Sequence, residues 1–190
     1  MTECACTPGQ TVGPFLGLGL PYPGGGALVG DRHAHAVRLH GAVYDGAGDG
    51  VPDALVELWQ PDGAGRVPRQ AGSLRRRHDD HGAFTGWGRC ATDAGGRYAF
   101  TTVAPGPTAP GRPPFFALTV FARGLLDRLF TRAYLPDGDL GADPLLAGLG
   151  ADRRATLLCV PESDCRDYRF DIHLQGPLET VFLAYRDGGR

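Results

Sequence analysis

The stretch VRLHGAVYDGAGDG, residues 37–50, reads as one strand followed by a tight turn, and this pattern decides the fold. Val37, Leu39, Gly41 and Val43 alternate with polar or larger residues along its first half. Because successive side chains of a strand point to opposite faces, a period of two is typical of a strand with one buried face. The second half, DGAGDG, has the composition of a turn and ends the strand.

Similar short apolar runs, separated by turns, recur along the chain. They predict about eight strands, at residues 37–45, 54–60, 96–103, 114–123, 128–135, 155–160, 168–175 and 179–185. Only residues 143–150, DPLLAGLG, have the pattern of a helical turn or two. The 30 glycines and 16 prolines lie between the apolar runs, which favours many turns. The sequence therefore predicts an all-β fold, an antiparallel or mixed β-sandwich with very little helix.

The beginning of the chain differs from the rest in composition. Residues 1–35 are rich in glycine and proline, and we expect them to form an extended N-terminal arm. Residues 36–190 would form the sandwich domain. The connection 61–90 is longer than connections usually run, which favours a functional or interface loop. The arm also carries large apolar residues that favour its lying across another surface: Phe15, Leu16, Leu18, Leu20 and Tyr22.

The overall composition excludes several classes of partner. A net charge of −2 and an isoelectric point near 6.3 give no reason to expect nucleic acid or an anionic membrane. No apolar run approaches the roughly 20 residues of a membrane helix. The opening MTECACTPGQ lacks the features of a signal peptide, so we expect a cytoplasmic protein. The five cysteines do not have zinc-finger spacing and are predicted to be free thiols.

Three stretches, in this order, resemble the intradiol ring-cleaving dioxygenases: GAVYDGAGDGVPDALVELWQPDGAGR (41–66), GWGRCATDAGGRYAFTTVAPGP (86–107) and YRFDIHLQGPLETVFL (168–183). The opening TPGQTVGPF (7–15) is similar to the start of one branch, the protocatechuate 3,4-dioxygenases. The resemblance implies a mixed β-sandwich and the chemistry of a non-haem ferric enzyme.

The resemblance also implies where iron ligands should stand. Catalytic chains of the family hold ferric iron with two tyrosines and two histidines, a hard donor set that suits this ion. One tyrosine precedes the GRC-x-TD turn, the other follows PGP, and the histidines form H-x-H on the next strand. This chain has no tyrosine between Tyr44 and Tyr98, and it carries Thr108, Phe115 and Ala117 at the other three positions. All four ligand positions are lost, so we predict that this chain binds no iron.

Other histidines offer weaker candidates for a metal site. His33 and His35 have the H-x-H spacing but lie in the arm, without tyrosines nearby. His78 and His81 are flanked by Asp79 and Asp80, a pattern more typical of a solvated loop. Both pairs are therefore disfavoured as metal ligands.

In the protocatechuate branch, two related chains make the enzyme, and this chain resembles the α-type. The resemblance implies that the β subunit holds the Fe³⁺ at a pocket shared between the chains. There, protocatechuate (3,4-dihydroxybenzoate) would be cleaved with O₂ to 3-carboxy-cis,cis-muconate. By the same resemblance, Thr11, Gly13 and Pro14 line that pocket, and Arg123 reaches toward the bound aromatic acid. A guanidinium there would favour an anionic substrate.

Three alternatives stay open at this point. Arg123 could form a structural ion pair at a strand end, and Thr11 could simply pack in an interface. The chain could also be a non-catalytic carrier or binding module on a transthyretin-like sandwich. Such a module would have no reason to keep TPGQTVGPF or FARG. A self-sufficient dioxygenase would need the four missing ligands.

Overall fold

The computed structural model describes residues 10–13, 15–30, 32–68, 84–162 and 166–184. Half of the loop 61–90, residues 69–83, lies outside the described residues, and so do the predictions that concern Cys4, Cys6, Pro14, His78, His81 and Cys165.

Nine strands and a few short helical segments lie within these ranges. The strands are β1 (Ala36–Tyr44), β2 (Leu55–Trp59), β3 (Trp87–Ala91), β4 (Arg97–Val103), β5 (Phe115–Phe121), β6 (Leu129–Tyr134), β7 (Val160–Pro161), β8 (Asp167–Arg169) and β9 (Ile172–His173). The helices are α1 (Leu16–Gly19), a 3₁₀ turn at Leu140–Ala142, α2 (Pro144–Ala147) and α3 (Ala151–Ala155). No helix in the described ranges has the length and apolar character needed to cross a membrane.

The strands form two sheets. The first has the order β4-β1-β8-β7, with β9 also paired to β1. In it, β1 runs antiparallel to β4 but parallel to β8 and β9. The second sheet has the order β3-β2-β5-β6 and is antiparallel throughout. The predicted all-β mixed sandwich is confirmed.

The core lies between the two sheets and follows the alternation of the strands. Leu39 and Phe100 come from the first sheet, and Phe116 and Leu118 come from the second; each is at most 1% exposed. Alternate residues of β5 therefore point inward, while the residues between them lie on the outer face of the second sheet.

The centre of β1 passes very close to the chain that leads from β8 into β9. A Cβ atom on Gly41 would lie 1.9 Å from the carbonyl oxygen of Phe170. Two hydrogen bonds surround this contact: the Phe170 N–H donates to His40 O (2.8 Å), and the Tyr98 hydroxyl donates to Phe170 O (2.6 Å). Only glycine allows the two backbone segments to approach this closely.

The described part of the arm lies across this chain's own sandwich. Tyr22 stacks on Trp87 with ring centroids 6.3 Å apart, and the Arg89 N–H donates to Gly25 O (2.8 Å). Leu28 is buried where the chain bridges to β4. The arm also contains one helical turn, α1, which the glycine-rich sequence did not predict. The division at residue 35 stays a prediction.

Two predicted strands differ from the structure. Residues 155–160 alternate as expected, with Leu157 and Cys159 buried, but they form only a single bridge to Tyr134 before Val160 enters β7. Residues 179–184 form no strand. The alternation of apolar residues therefore indicates which side chains are buried. Whether the segment forms a strand depends on a neighbouring segment with which its backbone can pair.

Candidate functional site

The outer face of the second sheet carries the two positions at which the family resemblance predicts the histidines of H-x-H. Phe115 and Ala117 both lie on β5, two residues apart and on one face. Ala117 stands opposite Trp59 on one side and Arg132 on the other. Thr108 is exposed in the connection before β5.

A polar network beside Phe115 occupies this face. The Arg132 guanidinium lies over the Phe115 ring, 4.3 Å from its centroid. Its Nη1 donates to the Tyr134 hydroxyl (3.0 Å) and lies 3.5 Å from Asp143 Oδ2. The Tyr134 hydroxyl in turn donates to Asp143 Oδ2 (3.0 Å), while Asp143 Oδ1 accepts from the backbone of Leu145 and caps α2. Because Asp143 is buried, these hydrogen bonds satisfy acceptor atoms that have little access to water.

Burial of Tyr134 predicts a loss of stability at high pH. Burial raises the pKa of this tyrosine from 10 to about 12, with Asp143 adding to the shift and Arg132 opposing it. The unfolded chain therefore loses the proton first, and the stabilisation present below pH 10 is lost as the pH rises toward 12. At 1.36 kcal/mol per pKa unit, the loss is roughly 2–3 kcal/mol.

Urea unfolding of the parent chain and of Tyr134→Phe between pH 7 and 12 measures this effect. The gap in unfolding free energy between the two should stay constant below pH 9, which serves as the internal control. It should then shift against the parent chain by roughly 2–3 kcal/mol up to pH 12. If the unfolding free energies of the two proteins changed in parallel from pH 7 to pH 12, Tyr134 would not be the source of the stability loss.

Arg123 and Asp53 form an ion pair at the end of β5. The Arg123 Nε lies 3.2 Å from Asp53 Oδ1, and its Nη2 lies 2.8 Å from Asp53 Oδ2. The pair is bidentate and partly open to solvent, since the side chains are 57% and 48% exposed. The structural ion pair considered for Arg123 therefore exists. It does not occupy every donor of the guanidinium.

The arm reaches the same place. The Thr11 hydroxyl accepts a hydrogen bond from the Gly124 N–H (2.7 Å), directly after Arg123. A Cβ atom on Gly17, in α1, would touch the Asp53 side chain at 3.4 Å. Gly13 is exposed, with open space around it. The structure thus brings Thr11 and Arg123 together, and it adds Asp53, which the sequence did not single out.

A second group of possible metal ligands lies on the first sheet. His40, Glu162 and Asp167 have ligand atoms within 4.8 Å of one another, and this is the one such group of three found among the described residues. His40 Nε2 lies 3.4 Å from Glu162 Oε2. The group contains no phenolate, and it lies on a different sheet from Phe115 and Ala117.

His33 and His35 stay outside that group. Their rings are 6.1 Å apart at an angle of 64°, and the His35 N–H points to His33 Nδ1 at 3.3 Å. They line an open groove of about 620 Å³ together with Arg66 and Tyr168. The described residues give them no third ligand for a metal.

Two of the five cysteines lie in the described ranges, and both are free thiols. Burial raises the pKa of the Cys159 thiol to about 12 and also raises that of Cys90. Neither thiol is therefore suited to act as a thiolate nucleophile near neutral pH.

A family model described as dioxygenase matches residues 27–176. The match covers the last residues of the arm and most of the sandwich. The chain belongs to the intradiol dioxygenase family. Relatives with curated names agree with this membership. The chain is 40% identical to the protocatechuate 3,4-dioxygenase alpha chain of Burkholderia cepacia, over 96% of its own length and 99% of the relative's. It is 35% identical to the beta chain of the same organism, over 80% of its own length and 67% of the relative's.

A solved structure shows the same fold at lower identity. The dioxygenase domain of a dioxygenase and carbohydrate-binding protein fusion from Streptomyces sp. SirexAA-E superposes with a TM-score of 0.60 and 23% identity. The match covers 80% of this chain and 87% of that one. Membership in the intradiol dioxygenase family gives no support to a transthyretin-like carrier module.

Intradiol dioxygenases use ferric iron, but the residues on the outer face of the second sheet do not fit this ion. Phe115 and Ala117 offer no ligand atom. The Tyr134 hydroxyl already donates to Asp143, and burial raises its pKa, which opposes formation of a phenolate. The Arg132 guanidinium would also repel a cation at this place.

Proposed function

We propose that this chain is the iron-free alpha subunit of a protocatechuate 3,4-dioxygenase. The observation that carries the proposal is the outer face of the second sheet, where Phe115 and Ala117 offer no ligand atom and Arg132 and Tyr134 are bound to their neighbours. The relative named as an alpha chain, similar over nearly the full length, supports the same assignment. A chain with the intradiol dioxygenase fold but without iron ligands would still have a function if it formed part of the active site of a related chain.

The position of Arg123 supports a role in another chain's pocket. Arg123 follows Ala117 by six residues, and a strand rises about 3.3 Å per residue, so the two lie up to about 20 Å apart. The Arg123 backbone therefore lies well away from the positions on its own sheet where the family's H-x-H would stand. It stands instead beside the arm, at an exposed end of the sandwich.

The residues of this chain would bind and orient the substrate. The free N–H groups of Arg123 would bind the carboxylate of protocatechuate. Thr11, Gly13 and Pro14 would form a wall that approaches the ring closely and excludes water. The Fe³⁺, held by the beta subunit, would supply the oxidative cleavage with O₂ that yields 3-carboxy-cis,cis-muconate.

Exposed apolar side chains near Arg123 offer a surface for the beta subunit. Phe15 and Leu18 on the arm are 78% and 79% exposed, and Leu126, in the turn after Arg123, is 66% exposed. Permanent hetero-complexes bury on the order of 2,000 Å² or more, and apolar residues of this kind are typical of their interfaces. The same surface would bring Arg123 to the edge of the partner's pocket.

Expression of this chain alone and together with a beta-type chain from the same host tests the proposal. The isolated chain should be colourless, contain no iron and cleave no protocatechuate. The co-purified complex should have the red-brown colour of a ferric tyrosinate, with about one iron per pair of chains. Metal analysis of the separated chains should find the iron with the beta-type chain. Stoichiometric iron and turnover in the isolated chain would overturn the proposal.

A further inference from the structure

We infer that Asp53 is a positioning residue that holds the Arg123 guanidinium so that one of its edges faces the substrate carboxylate. The inference rests on the proposed function, since it concerns how the same pocket is built. It adds a residue that acts on the substrate only through Arg123.

The donors of the guanidinium divide into two edges. Asp53 accepts from Nε and Nη2, which form one edge of the planar group. A guanidinium has five N–H donors in a fixed fork, so the adjacent edge, formed by Nη1 and the second N–H of Nη2, stays available. A second carboxylate could bind that edge with two parallel hydrogen bonds. The observed pair therefore leaves the arginine able to bind an anion and fixes the direction in which it does so.

The backbone of Asp53 is held in an unusual conformation. Its φ is 53°, the one positive φ of a non-glycine residue among the described residues. Aspartate and asparagine tolerate this left-handed region better than other residues with a Cβ, but it persists only where surrounding structure supports it. Here α1 lies beside Asp53, since a Cβ atom added to Gly17 would be 3.4 Å from the Asp53 Cβ.

The arm also binds the chain directly after Arg123. The Thr11 hydroxyl accepts a hydrogen bond from the N–H of Gly124, whose φ of 92° turns the chain at this point. The arm thus lies beside Asp53 and binds the residue that follows Arg123. An arginine held in this way loses less side-chain freedom when it binds a carboxylate.

Asp53→Asn in the complex with the beta-type chain tests the inference. Asparagine tolerates a positive φ, so the substitution removes the charge and one acceptor with little change of the backbone. KM for protocatechuate should rise about 3- to 10-fold and kcat should stay within about twofold, because the variant loses orientation of the binding group. Asp137→Asn is the matched control, since it removes an exposed carboxylate beyond the opposite end of β5.

Catechol distinguishes positioning from a general structural effect, because it has no carboxylate. Its affinity, measured as competitive inhibition, should not change in Asp53→Asn. Asp53→Gly, which also accepts the positive φ, should reproduce both results. An equal loss of catechol affinity, or a lower KM for protocatechuate, would overturn the inference.

The same experiment separates this inference from the proposed function. If Arg123→Gln raises KM for protocatechuate while Asp53→Asn and Asp53→Gly leave it unchanged, the inference fails and the proposed function stands. If Arg123→Gln itself has no effect on KM, the assignment of Arg123 to the substrate pocket fails, and the role of Asp53 fails with it.

Discussion

Replacing Arg123 with glutamine in the assembled enzyme should raise KM for protocatechuate about 10- to 100-fold. A hydrogen bond to a charged group contributes about 1.5–3 kcal/mol, and each 1.4 kcal/mol is a factor of ten in affinity. Glutamine keeps a polar side chain of moderate length but loses the charge and the second parallel hydrogen bond. We expect a smaller change in kcat, because the carboxylate is remote from the carbon atoms that react.

Steady-state kinetics with protocatechuate, together with inhibition by catechol, measures this effect. Arg97→Gln provides the matched control, since it removes the same charge from an exposed position on β4, in the other sheet. The control should keep the parent KM. A normal KM in Arg123→Gln would remove Arg123 from the pocket. A parallel loss of catechol affinity would instead indicate that the substitution disturbs the subunit interface.

Alanine at position 41 should lower the free energy of unfolding by about 3 kcal/mol or more. Its Cβ would overlap the carbonyl oxygen of Phe170, which is backbone and cannot rotate away. Overpacking of a core typically costs 1–3 kcal/mol, and here the ladder between β1 and the last strands must also shift. The His40–Phe170 and Tyr98–Phe170 hydrogen bonds would be disturbed by the same movement.

Chemical denaturation of the purified chain, or of the complex where the chain needs its partner, measures this loss. Gly150→Ala is the control, because a Cβ there has open space and the residue has a φ of −61°. Because Gly150 is the N-cap of α3, where alanine is less favourable than glycine, the control should lower the unfolding free energy by about 1 kcal/mol at most. An unchanged denaturation midpoint in Gly41→Ala would show that β1 and the chain at Phe170 can separate without loss.

The sequence predicted most of the sandwich because burial and strand alternation coincide in its long strands. β2, β4, β5 and β6 each lie inside a predicted run, β1 begins one residue before its run, and β5 has the apolar character of a central strand. In contrast, β3 was not predicted as a strand, since Gly88 and Arg89 interrupt its apolar pattern. It forms because its backbone pairs with β2 along its full length.

Some residues of the candidate site could be predicted from the sequence and others could not. Phe115 and Ala117 could be assigned to the H-x-H positions from their place in the motif. Their side chains share a face because residues two apart on a strand point to the same side. The partner of Arg123 could not be assigned, since Asp53 precedes it by 70 positions and the fold alone brings them together. The network of Arg132, Tyr134 and Asp143 was also missed: Arg132 and Tyr134 lie two residues apart on β6, but the turn that brings Asp143 back to them could not be predicted.

The parallel pairing of β1 has a consequence for how the polypeptide is made. One edge of β1 binds β4, but the other waits for β8 and β9, as in the contact of Ala42 with Asp171, 129 positions later. During translation, that edge stays open until β8 and β9 have left the ribosome, and an open edge invites pairing with other chains. The first sheet closes only after β9 has been synthesised, so assembly with a partner is expected to follow the synthesis of β9.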